Sequence, residues 1–310
     1  MDRREFIKRA GALGAGFAIA SLPLSAIEKV IPESDSTLKG VCDLHLHCAP
    51  DSKRRTIDEL SMAKEAAHLG YRALMFKSND FSCHDRAWLV GKIVPGLQCY
   101  GSIIMNRATG GINPYAVEKA LATEGGTCRC VYMPTLDATY VGGKLSVFDT
   151  LGVPHPEVVK IMELCRDANI IFATGHSSPE ESLMLAKKAK EVGVRKFVIT
   201  HANSRVWKLT HSQIRKAVDM GAWIEYSCLP LYWGPGTSLP DYEAQSISEF
   251  IDFLNIAPER SFVSTDLGSI GLPTPIEGMK KTIRMLLNKG VDQSTIDLIF
   301  KQNPINLITQ

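Results

Sequence analysis

The chain has 310 residues, with 35 basic against 33 acidic side chains for a formal net charge of +2, and is 45% hydrophobic and 22% charged. That make-up belongs to a folded globular protein with a sizeable core and excludes a disordered chain. No basic patch interleaved with aromatics is present, so nucleic acid is not a predicted partner. The eight cysteines lie mostly inside apolar runs and none sits in a C-x-x-C pair, which reads as buried thiols rather than a disulfide framework.

The first 26 residues read as an export signal. Asp2-Arg3-Arg4-Glu5-Phe6-Ile7-Lys8 is a twin-arginine pattern, a Gly/Ala-rich apolar run covers 10–22, and small residues close it at Ser25-Ala26. The run is short of the ~20 residues that span a bilayer and meets Pro23, so a cleaved signal is preferred to a membrane anchor. Cleavage near Ala26 leaves 27–39 as a polar leader and 40–310 as one domain. The predicted location is periplasmic, with no stable membrane span, and the twin-arginine export machinery is a partner.

Past residue 40, short apolar runs alternate with helical patterns. The runs fall at 41–46, 72–76, 98–105, 128–133, 170–174, 196–200, 222–226 and 261–264. Amphipathic helices are predicted between them, among others over 57–69, 114–122, 156–168, 179–192, 211–220 and 242–255, with Gly70, Gly193 and Gly221 as stop signals. Strands alternating with helices pair in parallel through right-handed crossovers. Eight such units in about 270 residues are the arithmetic of an α/β fold, the (β/α)8 TIM barrel. A doubly wound sheet would place a Gly-rich phosphate fingerprint after the first strand, where this chain has Asp43-Leu44-His45-Leu46-His47.

In such a barrel the active site is built from the carboxyl ends of the strands. On strand one, residues i and i+2 share a face, so His45 and His47 point the same way with Asp43 behind them. Strand two ends in Lys77, strand three runs into Asn106, strand five ends in His176, strand six in His201 and strand eight in Asp266. Four histidines and an aspartate at one end of one barrel point to a divalent metal site. Zn²⁺ is the leading candidate, with Mn²⁺ or Fe²⁺ as alternatives and one or two ions.

His-x-His on strand one, His on strands five and six, and Asp on strand eight resemble the ligand order of the amidohydrolase superfamily. More narrowly, D-L-H-L-H-C-A-P (43–50), V-P-G-L-Q-C-Y-G-S-I-I-M-N (94–106), G-G-I-N-P-Y-A-V-E (110–118), A-T-G-H-S-S-P-E-E (173–181), V-I-T-H (198–201) and S-T-D-L-G (264–268) are similar to an uncharacterised bacterial and archaeal family within it. The resemblance covers essentially all of 40–308. Where that family often reads K-S-H after strand two, this chain has Lys77-Ser78-Asn79. The resemblance implies metal ligation by His45, His47, His176, His201 and Asp266. Lys77 joins that set if carboxylated to bridge two ions, and otherwise is an ammonium that binds substrate.

The implied activity is hydrolysis of a small amide, ester or lactone. A bound ion lowers the pKa of its water to about 7, Asp266 shuttles the proton, and His201 is a ligand or stabilises the oxyanion. Asp43 is expected to orient His45 or its loop from behind. Arg54, Arg55, Asn106 and Trp233 are predicted to contact substrate, the last from a long aromatic loop over 227–240. Alternatives on the same frame are a phosphoesterase, a decarboxylase or a non-catalytic metal-binding protein, and self-association is left open.

Overall fold

The computed structural model describes residues 36–207 and 209–309; the export signal and 27–35 of the leader lie outside them. A single eight-stranded parallel sheet runs in the order β1 to β8: Cys42–Leu46, Ala73–Phe76, Gln98–Ile104, Cys128–Tyr132, Ile171–Ala173, Phe197–Ile199, Trp223–Ser227 and Ser261–Ser264. Each strand is followed by one main helix: α1 (Glu59–His68), α2 (His84–Ile93), α3 (Pro114–Leu121), α4 (Pro156–Asp167), α5 (Pro179–Val192), α6 (His211–Asp219), α7 (Ile247–Leu254) and α8 (Pro275–Asn288). This is the predicted (β/α)8 barrel.

The strands read as apolar runs because both of their faces are buried. One face, with Leu44, Met75, Ile104, Tyr132, Ile171, Val198 and Phe262, fills the barrel interior. The other, with Leu46, Phe76, Val131, Phe172, Ile199 and Val263, packs against the helices. A closing helix, α10 (Asn303–Thr309), follows the short α9 (Gln293–Asp297) and adds Ile305, Leu307 and Ile308 to the interior cluster.

Local chemistry sets the helix boundaries. Capping boxes start α5 (Ser178 with Glu181), α6 (Thr210 with Gln213) and α8 (Thr274 with Glu277), and Gly193 ends α5 in the left-handed conformation. Leu38, in the leader as predicted from sequence, is fully buried in a one-turn helix, Ser36–Leu38, and belongs to the core. All eight cysteines are buried free thiols.

Polar side chains help to join β8 to β1. Thr265 donates from its backbone N–H to Asp43 Oδ1 (3.0 Å) and from Oγ1 to Asp43 Oδ2 (2.6 Å), and the Asp266 N–H donates to the His45 carbonyl at 2.7 Å. Asp43 also accepts the His45 N–H at 3.3 Å. It is fully buried, and burial pushes its carboxyl up to about 7. Asp43 therefore acts on the backbone that carries His45 and joins the two strands; the His45 imidazole is oriented by a different residue.

Candidate active site at the carboxyl end of the barrel

His45, His201 and Asp266 come together from β1, the end of β6 and the end of β8, with one donor atom from each lying within 4.8 Å of the others. His201 and Asp266 both hold left-handed backbone, at φ 47° and 53°. For residues with a side chain that conformation costs about 1 kcal/mol or more, and such strain collects at functional sites. Gly268, two residues on, is at φ 129°, and a Cβ there would overlap the His47 carbonyl, so only glycine lets the two loops approach.

The tautomer of each strand-one histidine follows from its partners. His45 Nδ1 lies 2.7 Å from Oε1 of Glu225, a buried carboxylate on β7, so this nitrogen carries the proton and donates it. His45 Nε2 then faces Asp266 Oδ1 at 2.9 Å with no hydrogen-bond partner of its own. Two acceptors do not sit at that distance unless a cation lies between them, either a second proton or a metal ion. Burial pushes the His45 imidazole toward its neutral form, but the Asp266 and Glu225 carboxylates outweigh it and draw the pKa up to about 9.

His47 is set the opposite way. Arg55 approaches its Nδ1 at 3.2 Å, and a guanidinium has only N–H groups to offer, so Nδ1 accepts. The proton of neutral His47 is thus on Nε2, 3.2 Å from Asp266 Oδ1, which accepts it. Burial pushes this imidazole down to about 3, which keeps it neutral. His47 stands beside the trio of His45, His201 and Asp266 and donates to Asp266.

Asp266 gathers these contacts. Burial raises its carboxyl, but the charge drawn onto His45 and the hydrogen bond from His47 prevail and hold it well below the usual carboxylate range. His201 Nε2 is 3.4 Å from Asp266 Oδ2. Burial keeps His201 and His176 uncharged at neutral pH. The His176 ring lies 5.2 Å from that of His201, and Trp207 packs on both, at 4.7 and 4.5 Å.

Lys77 lies outside the trio. Its Nζ donates to Asn79 Oδ1 at 3.3 Å and sits 5.1 Å from the centre of the Tyr132 ring, while burial lowers its pKa. Asn79 thus has a definite task, its Oδ1 also accepting from Thr135 Oγ1 at 2.9 Å. His84, in the first turn of α2, lies apart from the cleft.

The trio opens into a cleft of about 170 Å³, bordered by Lys53, Lys77, His176, Trp207, Trp233 and Tyr242 among others. Trp233 is where the sequence predicts it. It stacks on Tyr242 at 4.6 Å and donates Nε1–H to the Glu243 carbonyl. Arg55 also borders the cleft, but its guanidinium is engaged by Asp51 (2.7 Å) and His47, which makes it a support for His47.

Two predicted substrate contacts are corrected. Asn106 is buried, and its amide is consumed in joining loops: Nδ2–H donates to the Asn79 carbonyl and Thr135 Oγ1, and Oδ1 accepts the Thr135 N–H. Arg54 is exposed and does not border the cleft. The sequence reading missed Glu225, although a lone carboxylate inside the apolar run Trp223-Ile224-Glu225-Tyr226 was a usable signal. It also missed Trp207, which lies in an irregular loop with no pattern to mark it.

The sequence profile of a family of unknown function, DUF6282, matches residues 40–225. No curated protein matches the chain by sequence. Among solved structures, the barrel is similar to an organophosphorus hydrolase from Deinococcus radiodurans (TM-score 0.60, 14% identity, 87% of this chain and 92% of that one). It is also similar to a mutant of a PTE-like lactonase from the same organism (TM-score 0.59, 14% identity, 87% and 95%). A dihydroorotase is a further neighbour (TM-score 0.57, 12% identity, 87% and 69%). At these identities the likeness shows the fold alone, a parallel (β/α)8 barrel.

Proposed function

Because the chain belongs to the family of unknown function DUF6282, which brings no activity with it, we propose from the site's own geometry a metal-dependent hydrolase of a small amide, ester or lactone. The observation that carries this reading is the trio of His45, His201 and Asp266, in which His45 Nε2 and Asp266 Oδ1 face each other across 2.9 Å. Two imidazoles and a carboxylate are a donor set suited to Zn²⁺ or Mn²⁺, and the buried, partnerless His45 Nε2 is a ligand atom in need of a metal. The names of two structural neighbours, a lactonase and a dihydroorotase, agree with hydrolysis at a carbonyl, while that of the organophosphorus hydrolase fits the phosphoesterase alternative.

When bound, the ion supplies Lewis acidity toward a carbonyl oxygen and toward water. The remaining work belongs to the chain. Glu225 fixes the tautomer and aim of His45, as carboxylates behind metal-binding histidines do. Asp266, held ionised, takes the proton of the attacking water and delivers it to the leaving group. His47 donates to Asp266 Oδ1 and keeps that carboxylate turned toward the site. Lys77 presents an ammonium to the polar end of the substrate, while Trp233 and Tyr242 wall its apolar end and exclude water. The reading includes export of the folded protein by the twin-arginine route, supported by Arg3-Arg4 and the small residues before Ile27.

The test is turnover of a panel of lactones, carboxylic esters, amides and phosphotriesters by the purified protein, before and after removal of metal with a chelator. Hydrolysis of a carbonyl substrate is expected, lost on stripping and restored by Zn²⁺ or Mn²⁺. Turnover that survives stripping, or that is confined to phosphorus esters, contradicts the reading. The second outcome would instead favour the phosphoesterase alternative, for which Lys53 and Lys77 beside the cleft are the supporting observation.

A further inference from the structure

The opposite end of the barrel holds a group of cations that the proposed activity does not use. Arg195 and Lys196 lie just before β6, Arg260 just before β8, and Arg129 on β4. With Trp223, Asn169 and residues of α10, the first three border a cavity of about 240 Å³ at the amino ends of the strands. Lys196 is only 7% exposed, and among the described residues it has no ion pair and no side-chain hydrogen bond. The buried Nε of Arg129 also has no hydrogen-bond partner, and its guanidinium sits 5.4 Å from the centre of the Tyr100 ring. Arg260 lies over Trp223 at 4.2 Å, and Arg195 reaches Asn169 Oδ1 at 3.4 Å.

Among the described residues, no carboxylate forms an ion pair with Arg129, Arg195, Lys196 or Arg260. Two partly buried arginines elsewhere are each matched to an acid, Arg55 to Asp51 at 2.7 Å and Arg86 to Glu59 at 2.9 Å. At the barrel floor, the acid acting on Arg260 is its exposed neighbour Glu259, which does not border the cavity. Burial, reinforced by Arg129 and Arg195, pushes the Lys196 ammonium down to about 8. Lys196, buried and with no counter-charge among the described residues, carries an electrostatic cost that an anion would reduce.

We propose that this cavity is a binding site for a small, multiply charged oxyanion, of which inorganic phosphate is the simplest member. The guanidinium forks of Arg195 and Arg260 suit the edges of such an oxyanion, and Lys196 adds a point charge from inside the barrel. The volume admits a phosphate with a body of a few carbons and no larger group. The site is separate from the metal trio and stands or falls independently of the hydrolase reading.

The experiment is titration of the full-length, folded protein with inorganic phosphate, followed by calorimetry and thermal melting, against sodium chloride at equal ionic strength. Saturable binding is expected, weakened at least about tenfold in Lys196→Met and less in the rim variant Arg195→Gln, and unchanged in Asp266→Asn. In phosphate-free buffer Lys196→Met should melt no lower than the unmodified protein, because it removes an uncompensated charge. If Lys196→Met does not fold, Arg195→Gln carries the comparison. No saturable binding, binding indifferent to both floor variants, or binding lost only in Asp266→Asn each overturns the proposal, the last by placing phosphate in the cleft.

Discussion

Asp266→Asn is expected to lower kcat/KM on any substrate of the cleft by about a thousandfold or more, the range lost with a positioned general base and its charge. The substitution keeps the size of the side chain and its contacts with His45, His47 and His201, and removes the charge that holds them together. Melting should move by a few degrees at most, because the barrel core is untouched. A variant within about tenfold of the parent would remove Asp266 from the proton path. Comparison at saturating metal separates loss of the base from loss of the ion.

The second large effect is expected at Glu225, which touches no substrate in this account. Glu225→Gln retains an acceptor for His45 Nδ1 but loses the negative charge behind it, and Glu225→Ala loses both. Metal affinity should fall by about tenfold in the first and about a hundredfold in the second, the scale of defects behind metal-binding histidines. A metal titration against a competing chelator reads this directly. If Glu225 only supported the fold, both variants would melt lower and bind metal with unchanged affinity.

The histidines and Asp266 were legible because a parallel barrel puts its chemistry at strand ends, and strand ends can be located from runs buried on both faces. Helix α2 was harder to see. In α2, Asp85, Arg86, Trp88 and Lys92 are scattered along a weakly patterned stretch, and its N-cap, Cys83, makes no side-chain capping bond. Asn106 shows the limit of reading by position. It occupies the end of β3 as His45 occupies β1, yet its partners Asn79 and Thr135 come from two other loops that no spacing rule connects.

Arg55 has a contact that the sequence leaves unmarked. Its salt bridge with Asp51 could have been found from the i,i+4 spacing, but its contact with His47 Nδ1 depends on the path of the loop between them. That contact sets the proton of His47 on Nε2, which separates two histidines that the D-x-H-x-H pattern presents as equivalent. Glu225 does the reverse for His45, from a strand that contributes no ligand of its own.

The most direct test of the central claim is the metal content of the purified protein, measured by elemental analysis alongside His45→Gln. About one equivalent of a divalent metal, Zn²⁺ or Mn²⁺, is expected in the parent and little in the variant, because a site of this donor set binds metal tightly at neutral pH. Less than about a tenth of an equivalent in the parent, even after refolding with added metal, would contradict the account.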